Sequence, residues 1–289
     1  MASYHEASDF SELYEGCLTD IIESPEYESS PRGLKIYEET NVSLVLTNPL
    51  SSLYANERRS SQKRYIAAEL LWYFTGRNDV EFIKDYAKFW EKIQNEDGTV
   101  NSAYGNLIFA TKNRYGLSQY EWAYQCLAKD KESRQAVLHF NLPVHQYLTN
   151  KDFVCTMYAI FQIREDRLNL TVHMRSNDII LGLPTDFAFF TTLQSHMLMH
   201  LQKVHKNLSI GTYTHIANSL HLYETHFNLA NEMLSHQFTR EELPPVVQPL
   251  INLASAPTAQ LKVLLDHRHD PLSTFSDPLY NWIYTNINQ

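Results

Sequence analysis

The chain has 289 residues, a net charge of −9, 44% hydrophobic residues and 20% charged ones. That length can bury a substantial core in one large domain or two small ones, and the composition excludes wholesale disorder. The acidic balance argues against a general nucleic-acid coat, which must neutralise many phosphates, but a few local arginines suffice for one phosphate group. No GxGxxG or GxxxxGK[ST] run occurs, so dinucleotide-fold and P-loop readings lack support. The cysteines, Cys17, Cys126 and Cys155, form no CxxC pair. A disulfide framework and a cysteine metal site are not expected, and a reducing compartment is.

In chain order, residues 1–30 read as an acidic helix and a loop, with no signal-peptide pattern. Residues 34–46 read as a strand. Residues 61–75 read as a helix stopped by Gly76. Ile66, Glu69, Leu70 and Tyr73 share one of its faces, and apolar residues cover most of the rest. Such a helix is buried, so Glu69 should sit in apolar company with a raised pKa. Residues 78–95 read as a second helix closed by the turn Asn95-Glu-Asp-Gly98, and 115–130 as a third. Strands are expected over 135–142, 153–163 and 168–174, the last two forming a hairpin around Arg164-Glu-Asp-Arg167.

A two-residue turn at Glu165-Asp166 places Cys155 opposite Ser176, one step from Arg175. Cys155 and Arg175 then lie close but on opposite faces, unless a bulge shifts the register by one. Residues 186–205 read as a long apolar core helix. The stretch Ile179–Leu201 contains Pro184, Asp186 and two histidines, which is no membrane span. Residues 207–216 and 218–223 read as strand, and 224–236 as helix. The proline-rich tail from Glu241 is expected to be strand-like at 259–266 and irregular beyond.

Cys155 stands beside a cation-rich segment, and a nearby arginine lowers a thiol pKa. A buried structural cysteine is the alternative from local sequence alone. The segment from Arg175 to Asp186, RSNDIILGLPTD, resembles the signature RSxDxxLGLP of the thymidylate synthase family, which follows a nucleophilic cysteine by the same 20 residues found here. Other landmarks follow in order. Glu69 lies in AELLWYF, similar to HELLWFL. Trp90 and Tyr104 lie in a segment ending NEDGTVNSAYG, similar to ENGDLGPVYG. Ser133-Arg134 resembles the family's SRR, His221-Leu-Tyr223 its HxY, and Arg32 its mobile-loop arginine. The resemblance covers roughly 30–235 and carries implications. The fold would be α+β, one domain over 1–289 with a mostly antiparallel sheet and a long buried helix. Two such sheets would pack back to back in a homodimer.

The resemblance also implies a chemistry. Cys155 would add as thiolate to C6 of a pyrimidine nucleotide, making C5 nucleophilic toward the one-carbon donor 5,10-methylenetetrahydrofolate. Arg32, Arg134, Arg175 and Ser176 would hold the 5′-phosphate, with Arg134 crossing from the partner subunit. His221 and Tyr223 would bind the 3′-hydroxyl. Glu69 would order water and move protons, with Tyr104 a further catalytic residue. Trp90, Asp178, Leu181 and Gly182 would line the folate pocket. Neither a metal, a nucleic acid nor a membrane is expected to take part, and the location would be the cytoplasm, the host's if the source is viral.

The departures from the pattern are informative. Asp186 stands where thymidylate synthases carry asparagine. Uracil presents N3–H and O4, which an amide complements, whereas cytosine reverses the pattern and suits a carboxyl. Asp186 thus points to dCMP, with a helix N-cap as its alternative role. Thr156 follows the cysteine where thymidylate synthases have histidine, and FVCTMYAIFQ looks more like the phage deoxycytidylate hydroxymethylases. That branch adds water where the synthases deliver hydride. Gln135 replaces the second arginine of SRR. The chain ends IYTNINQ without the family's APVAI tail, a looser lid that would admit water. Rival readings are a dUMP methylase or hydroxymethylase, a CMP hydroxymethylase and a noncatalytic nucleotide binder. His145, His173, His200 and His205 lack metal-ligand spacing and read as ordinary histidines. Cys17 and Cys126 read as core filler, and Arg58-Arg59 with Lys63-Arg64 as a solvated helix start.

Overall fold

The computed structural model describes residues 3–59, 62–270 and 275–289. In chain order its strands are β1 (Tyr4–Ala7), β2 (Tyr27–Ser29), β3 (Ile36–Leu46), β4 (Leu53–Asn56), β5 (Val137–His139), β6 (Thr156–Arg164), β7 (Arg167–Met174), β8 (Asn177–Asp178), β9 (Ser209–Tyr223) and β10 (Phe238–Glu241). Its α-helices are α1 (Phe10–Glu23), α2 (Lys63–Phe74), α3 (Val80–Ile83), α4 (Phe89–Ile93), α5 (Gln119–Lys129), α6 (Leu183–Leu201), α7 (Phe227–Leu234), α8 (Ala259–Asp266) and α9 (Pro278–Ile287). The architecture is α+β, as expected.

The main sheet runs β1-β3-β9-β7-β6-β5, with β2 beside β3 and β8 beside β9. It is mixed, with antiparallel pairs in the majority. The β2–β3, β3–β9, β5–β6 and β6–β7 pairs are antiparallel, while β1–β3, β7–β9 and β8–β9 are parallel. A parallel β7–β9 pair needs a long crossover, and α6 supplies it. Every residue of α6 but Leu198 and Met199 is buried. Within it Gln194 donates to the carbonyls of Leu168 and Thr212 at 2.9 and 3.0 Å. Gln119 finishes the β5 edge of the sheet with its side chain, accepting from the His139 amide at 2.7 Å and donating to the His139 carbonyl at 2.8 Å. Among the described residues no helix is long and apolar enough to cross a membrane.

The β6–β7 hairpin turns at Glu165 and Asp166, both at positive φ (51° and 52°). This is the backbone a two-residue turn demands, and acidic side chains tolerate it. The expected register holds from Arg164–Arg167 to Tyr158–His173. A bulge at Met157 then shifts it by one, so that Thr156 faces Met174 and the Arg175 amide donates to the Cys155 carbonyl at 2.9 Å. Thr156, not Cys155, takes the buried core position.

Several expectations are corrected. The helix expected over 78–95 is broken into α3 and α4 by turns at 84–88, where the Tyr86 and Ala87 amides both bond back to the Ile83 carbonyl. The segment 259–266 is helical, because Thr258 caps it by accepting from the Leu261 amide at 3.1 Å. The end of the chain is also helical: Asp277 caps α9 and Pro278 occupies its first turn. α9 packs against α2. The first expected helix is preceded by strand β1, which pairs with β3. Ser61, counted in the expected 61–75 helix, and 271–274, counted in the irregular tail, lie outside the described residues.

Candidate active site

The site begins with α2. Glu69 is buried, and Tyr65 and Tyr73 flank it one helical turn away on either side. The Tyr65 hydroxyl donates to Glu69 Oε1 at 2.7 Å and accepts from Trp90 Nε1 at 3.0 Å. Burial lifts the Glu69 carboxyl from its ordinary range to about 7, while the Tyr65 and Tyr73 hydroxyls draw it back toward the charged form. The expected direction is correct, but the company is not wholly apolar. Tyr73 stacks on Tyr104 with ring centroids 5.4 Å apart. Gly105 makes this approach possible, since a Cβ there would stand 1.9 Å from the Tyr73 carbonyl oxygen.

From the opposite side comes the first turn of α6. Asp186 is buried, and its Oδ2 accepts from Asn177 Nδ2 at 2.7 Å. The cap of α6 is Gly182, so Asp186 is not the helix N-cap. Burial pushes its carboxyl well above the usual range, and the charge of Glu69 pushes the same way against the Asn177 bond. The two carboxyls thus feel one another, and both act on Tyr65, Tyr73 and Tyr104.

The sheet supplies the thiol. Arg175 Nη2 donates to Cys155 Sγ at 3.5 Å, and its guanidinium also bonds the carbonyls of Phe153 and Val154. Its carbon lies 4.8 Å from the Phe153 ring centroid. The expected lowering of the thiol pKa is not the net result. Burial raises it, Arg175 and the more distant Arg32 oppose that, and Asp186 and Asp152 add to it. The thiol is therefore held protonated beside a cation that favours its ionised form.

On the neighbouring strand His221 is buried next to Asp178, its pairing partner between β8 and β9. Burial lowers its pKa, while Asp178 and Glu38 oppose the shift. Tyr223 sets its ring perpendicular to His221 with centroids 5.0 Å apart. Asp178 Oδ1 accepts from the amides of Ile180 and Leu181 at 2.8 and 3.0 Å, turning the chain into α6. Leu181 is 53% exposed beside it. Ser176 is half-buried directly after β7, and Arg32 is exposed in a short 3₁₀ turn at positive φ (56°). Arg134 is exposed before β5 and takes no part in the Cys155 cluster within this chain.

Sequence reasoning missed Tyr65, Asn177 and Arg59. Tyr65 was legible from its spacing, one turn before Glu69 on the same helix. Asn177 carries no such signal, because its contact with Asp186 depends on the fold of the 178–182 turn. Arg59, expected in a solvated run, is only 8% exposed and donates to the Tyr14 hydroxyl and the Ile180 carbonyl. Its neighbours are also engaged: Lys63 pairs with Glu241 at 2.7 Å, and Arg58 Nε lies 3.0 Å from His236 Nε2. Buried Asn177 Oδ1 and His221 Nδ1 lack partners among the described residues, as do buried atoms elsewhere such as Gln194 Oε1 and His200 Nδ1.

The family model described as thymidylate synthase matches residues 12–263. Deoxycytidylate 5-hydroxymethyltransferase of Enterobacteria phage T4 is 28% identical over 209 residues, covering 69% of this chain and 80% of that protein. Deoxyuridylate hydroxymethyltransferase of Bacillus phage SP01 is 29% identical over 222 residues, covering 73% of this chain and 56% of that protein. Thymidylate synthase of Symbiobacterium thermophilum is 29% identical over 222 residues, covering 71% of this chain and 75% of that protein. Among solved structures, the thermostable thymidylate synthase A of Bacillus subtilis superposes with a TM-score of 0.65 at 19% identity, over 81% of this chain and 86% of that one. That last likeness concerns the fold.

Proposed function

Because the chain belongs to the thymidylate synthase family, whose chemistry is one-carbon transfer to C5 of a pyrimidine nucleotide, we propose that it hydroxymethylates dCMP as a single catalytic domain over 1–289. The observation that supports a cytosine reading is Asp186, a buried carboxyl whose acid form burial favours, where the synthases carry asparagine. A neutral carboxyl offers one donor and one acceptor, which can meet cytosine N3 and its amino group. In the reaction, Cys155 Sγ bonds to C6 of the base after losing its proton. Electron density then moves to C5, which bonds to the one-carbon unit as that unit's bond to its donor breaks; C5 gives up its proton, water adds to the new carbon, and the S–C6 bond breaks to return the Cys155 thiol. Arg175 favours the thiolate needed for that addition. Glu69, poised near neutrality and steadied by Tyr65, passes protons at the base and orders the water that completes the hydroxymethyl group.

Methylenetetrahydrofolate supplies the one-carbon unit when bound. The residues present fit it: Leu181 exposes apolar surface beside Asp178, whose second carboxylate oxygen can accept from ring N–H groups. Gly182 lies beside the Asp178 carbonyl, and Trp90, which donates to Tyr65, is assigned to the same pocket. Arg32, Arg175 and Ser176 take the 5′-phosphate together with Arg134 of the partner subunit, and His221 and Tyr223 take the 3′-hydroxyl. The sheet face away from α6 carries Ile160, Thr171, Thr214 and Ile216, all half-buried rather than buried. A second copy pairing there brings Arg134 to the site.

A second reading, transfer to dUMP, follows from the same acid. Its proton on the other oxygen complements uracil instead. Replacement Asp186→Asn separates the two. Preference for dCMP in the parent and for dUMP in the variant is expected, and an unaltered preference refutes the role of Asp186 as base reader.

A further inference from the structure

A neutral carboxyl reads bases ambiguously. With the proton on the oxygen that faces N3 it complements cytosine. With the proton on the other oxygen it complements uracil. Asp186 alone therefore does not select a base. Selection needs something that fixes which oxygen carries the proton.

Asn177 is placed to do this. Its Nδ2 donates to Asp186 Oδ2 at 2.7 Å, and both residues are buried. A proton on Oδ2 would make it the poorer acceptor for that N–H, so the bond favours Oδ2 as the carbonyl oxygen and Oδ1 as the oxygen that carries the proton. Oδ1 is bonded to none of the described residues and is free to meet a base. Gly182 closes over the pair: a Cβ there would lie 3.1 Å from Asn177 Nδ2 and 3.4 Å from Asp186 Oδ2. A side chain at position 182 would press on this bond, and glycine leaves it room.

We infer that Asn177 is a specificity-determining residue: by donating to Asp186 Oδ2 it locks the carboxyl into one donor–acceptor pattern, so the site accepts one pyrimidine base and refuses the other. Asn177 acts through Asp186 and is a positioning residue. The inference rests on the base-reading role of Asp186 proposed above, but not on which base is preferred.

The test uses the full chain with Asn177→Leu and, separately, Asn177→Ser. The ratio of kcat/KM for dCMP to that for dUMP is measured against the parent. Loss of the bond is expected to move the ratio about tenfold toward unity, the effect of one hydrogen bond, through a gain on the disfavoured base. An equal loss on both bases, with the ratio unchanged, overturns the inference, since that is what a merely structural residue gives. If neither variant folds, Gly182→Ala in a Cys155→Ser background presses on the same bond, and the ratio of dCMP and dUMP dissociation constants is read instead. An unchanged ratio there overturns the inference too. A parent that prefers dUMP, with relaxed variants, refutes the dCMP assignment and supports the role of Asn177. A parent indifferent to the base overturns that role.

Discussion

The Cys155 thiol lies 3.5 Å from the Arg175 guanidinium, and the bulge at Met157 puts it there. Without that one extra residue the hairpin would set Cys155 opposite Ser176 and turn Arg175 to the other face. Arg175 opposes the rise in thiol pKa that burial causes. Replacement Arg175→Ala should therefore raise the thiol pKa further. Alkylation of Cys155, mapped by mass spectrometry, should slow about tenfold at a fixed pH below the pKa. Cys17 is buried and serves as the silent internal control. An unchanged pH profile at Cys155 would show that the contact has no electrostatic effect.

The ionisation of Glu69 has a cost in stability with a definite sign. Its folded pKa is about 7 against an ordinary 4.5. Between those values the folded state keeps a proton that the unfolded chain gives up, so stability falls as pH rises through this window and levels above it. Tyr65 and Tyr73 face the carboxyl from its own helix and Asp186 from α6. Glu69→Gln cannot ionise and escapes the penalty. Relative to the parent it should gain on the order of 3 kcal/mol between about pH 5 and about pH 8, while turnover is lost. Urea unfolding across that range measures the gap, and a constant gap contradicts the assignment.

Gly105 permits the contact between Tyr104 and Tyr73. A Cβ at this position meets backbone atoms of Tyr73 at 1.9 to 2.4 Å, and no rotamer change relieves a clash with backbone. Gly105→Ala should destabilise the fold by more than about 3 kcal/mol. Soluble protein with parental unfolding behaviour would mean that α2 and the 104–110 segment do not approach this closely.

Much of this was written in local pattern. The Glu165-Asp166 turn set the hairpin register, and the apolar run through α6 announced a core helix. The burial of Glu69 followed from the residues on every side of α2. The tail was less legible. The apolar run in Leu261–Leu265 suits a strand or a helix, and the Thr258 cap decides it. In α9 the stripe Leu279, Tyr280, Ile283 and Ile287 was present, but aromatic residues interleaved with it hid the period. The bulge at Met157 could be named as a possibility and no more, because hydrogen-bond geometry chooses it rather than side-chain type. Arg59 depends on Ile180, a distant part of the chain, and Asn177 on the fold of the turn that leads to Asp186, and no spacing rule connects either pair.

The most direct measurement is the mass of the product. Purified protein is given methylenetetrahydrofolate with dCMP, dUMP and CMP in parallel. The account predicts that dCMP alone gains the mass of one CH₂O unit. A gain of a single methylene on dUMP, with dihydrofolate formed, would contradict it and would mean that Asp186 does not read cytosine.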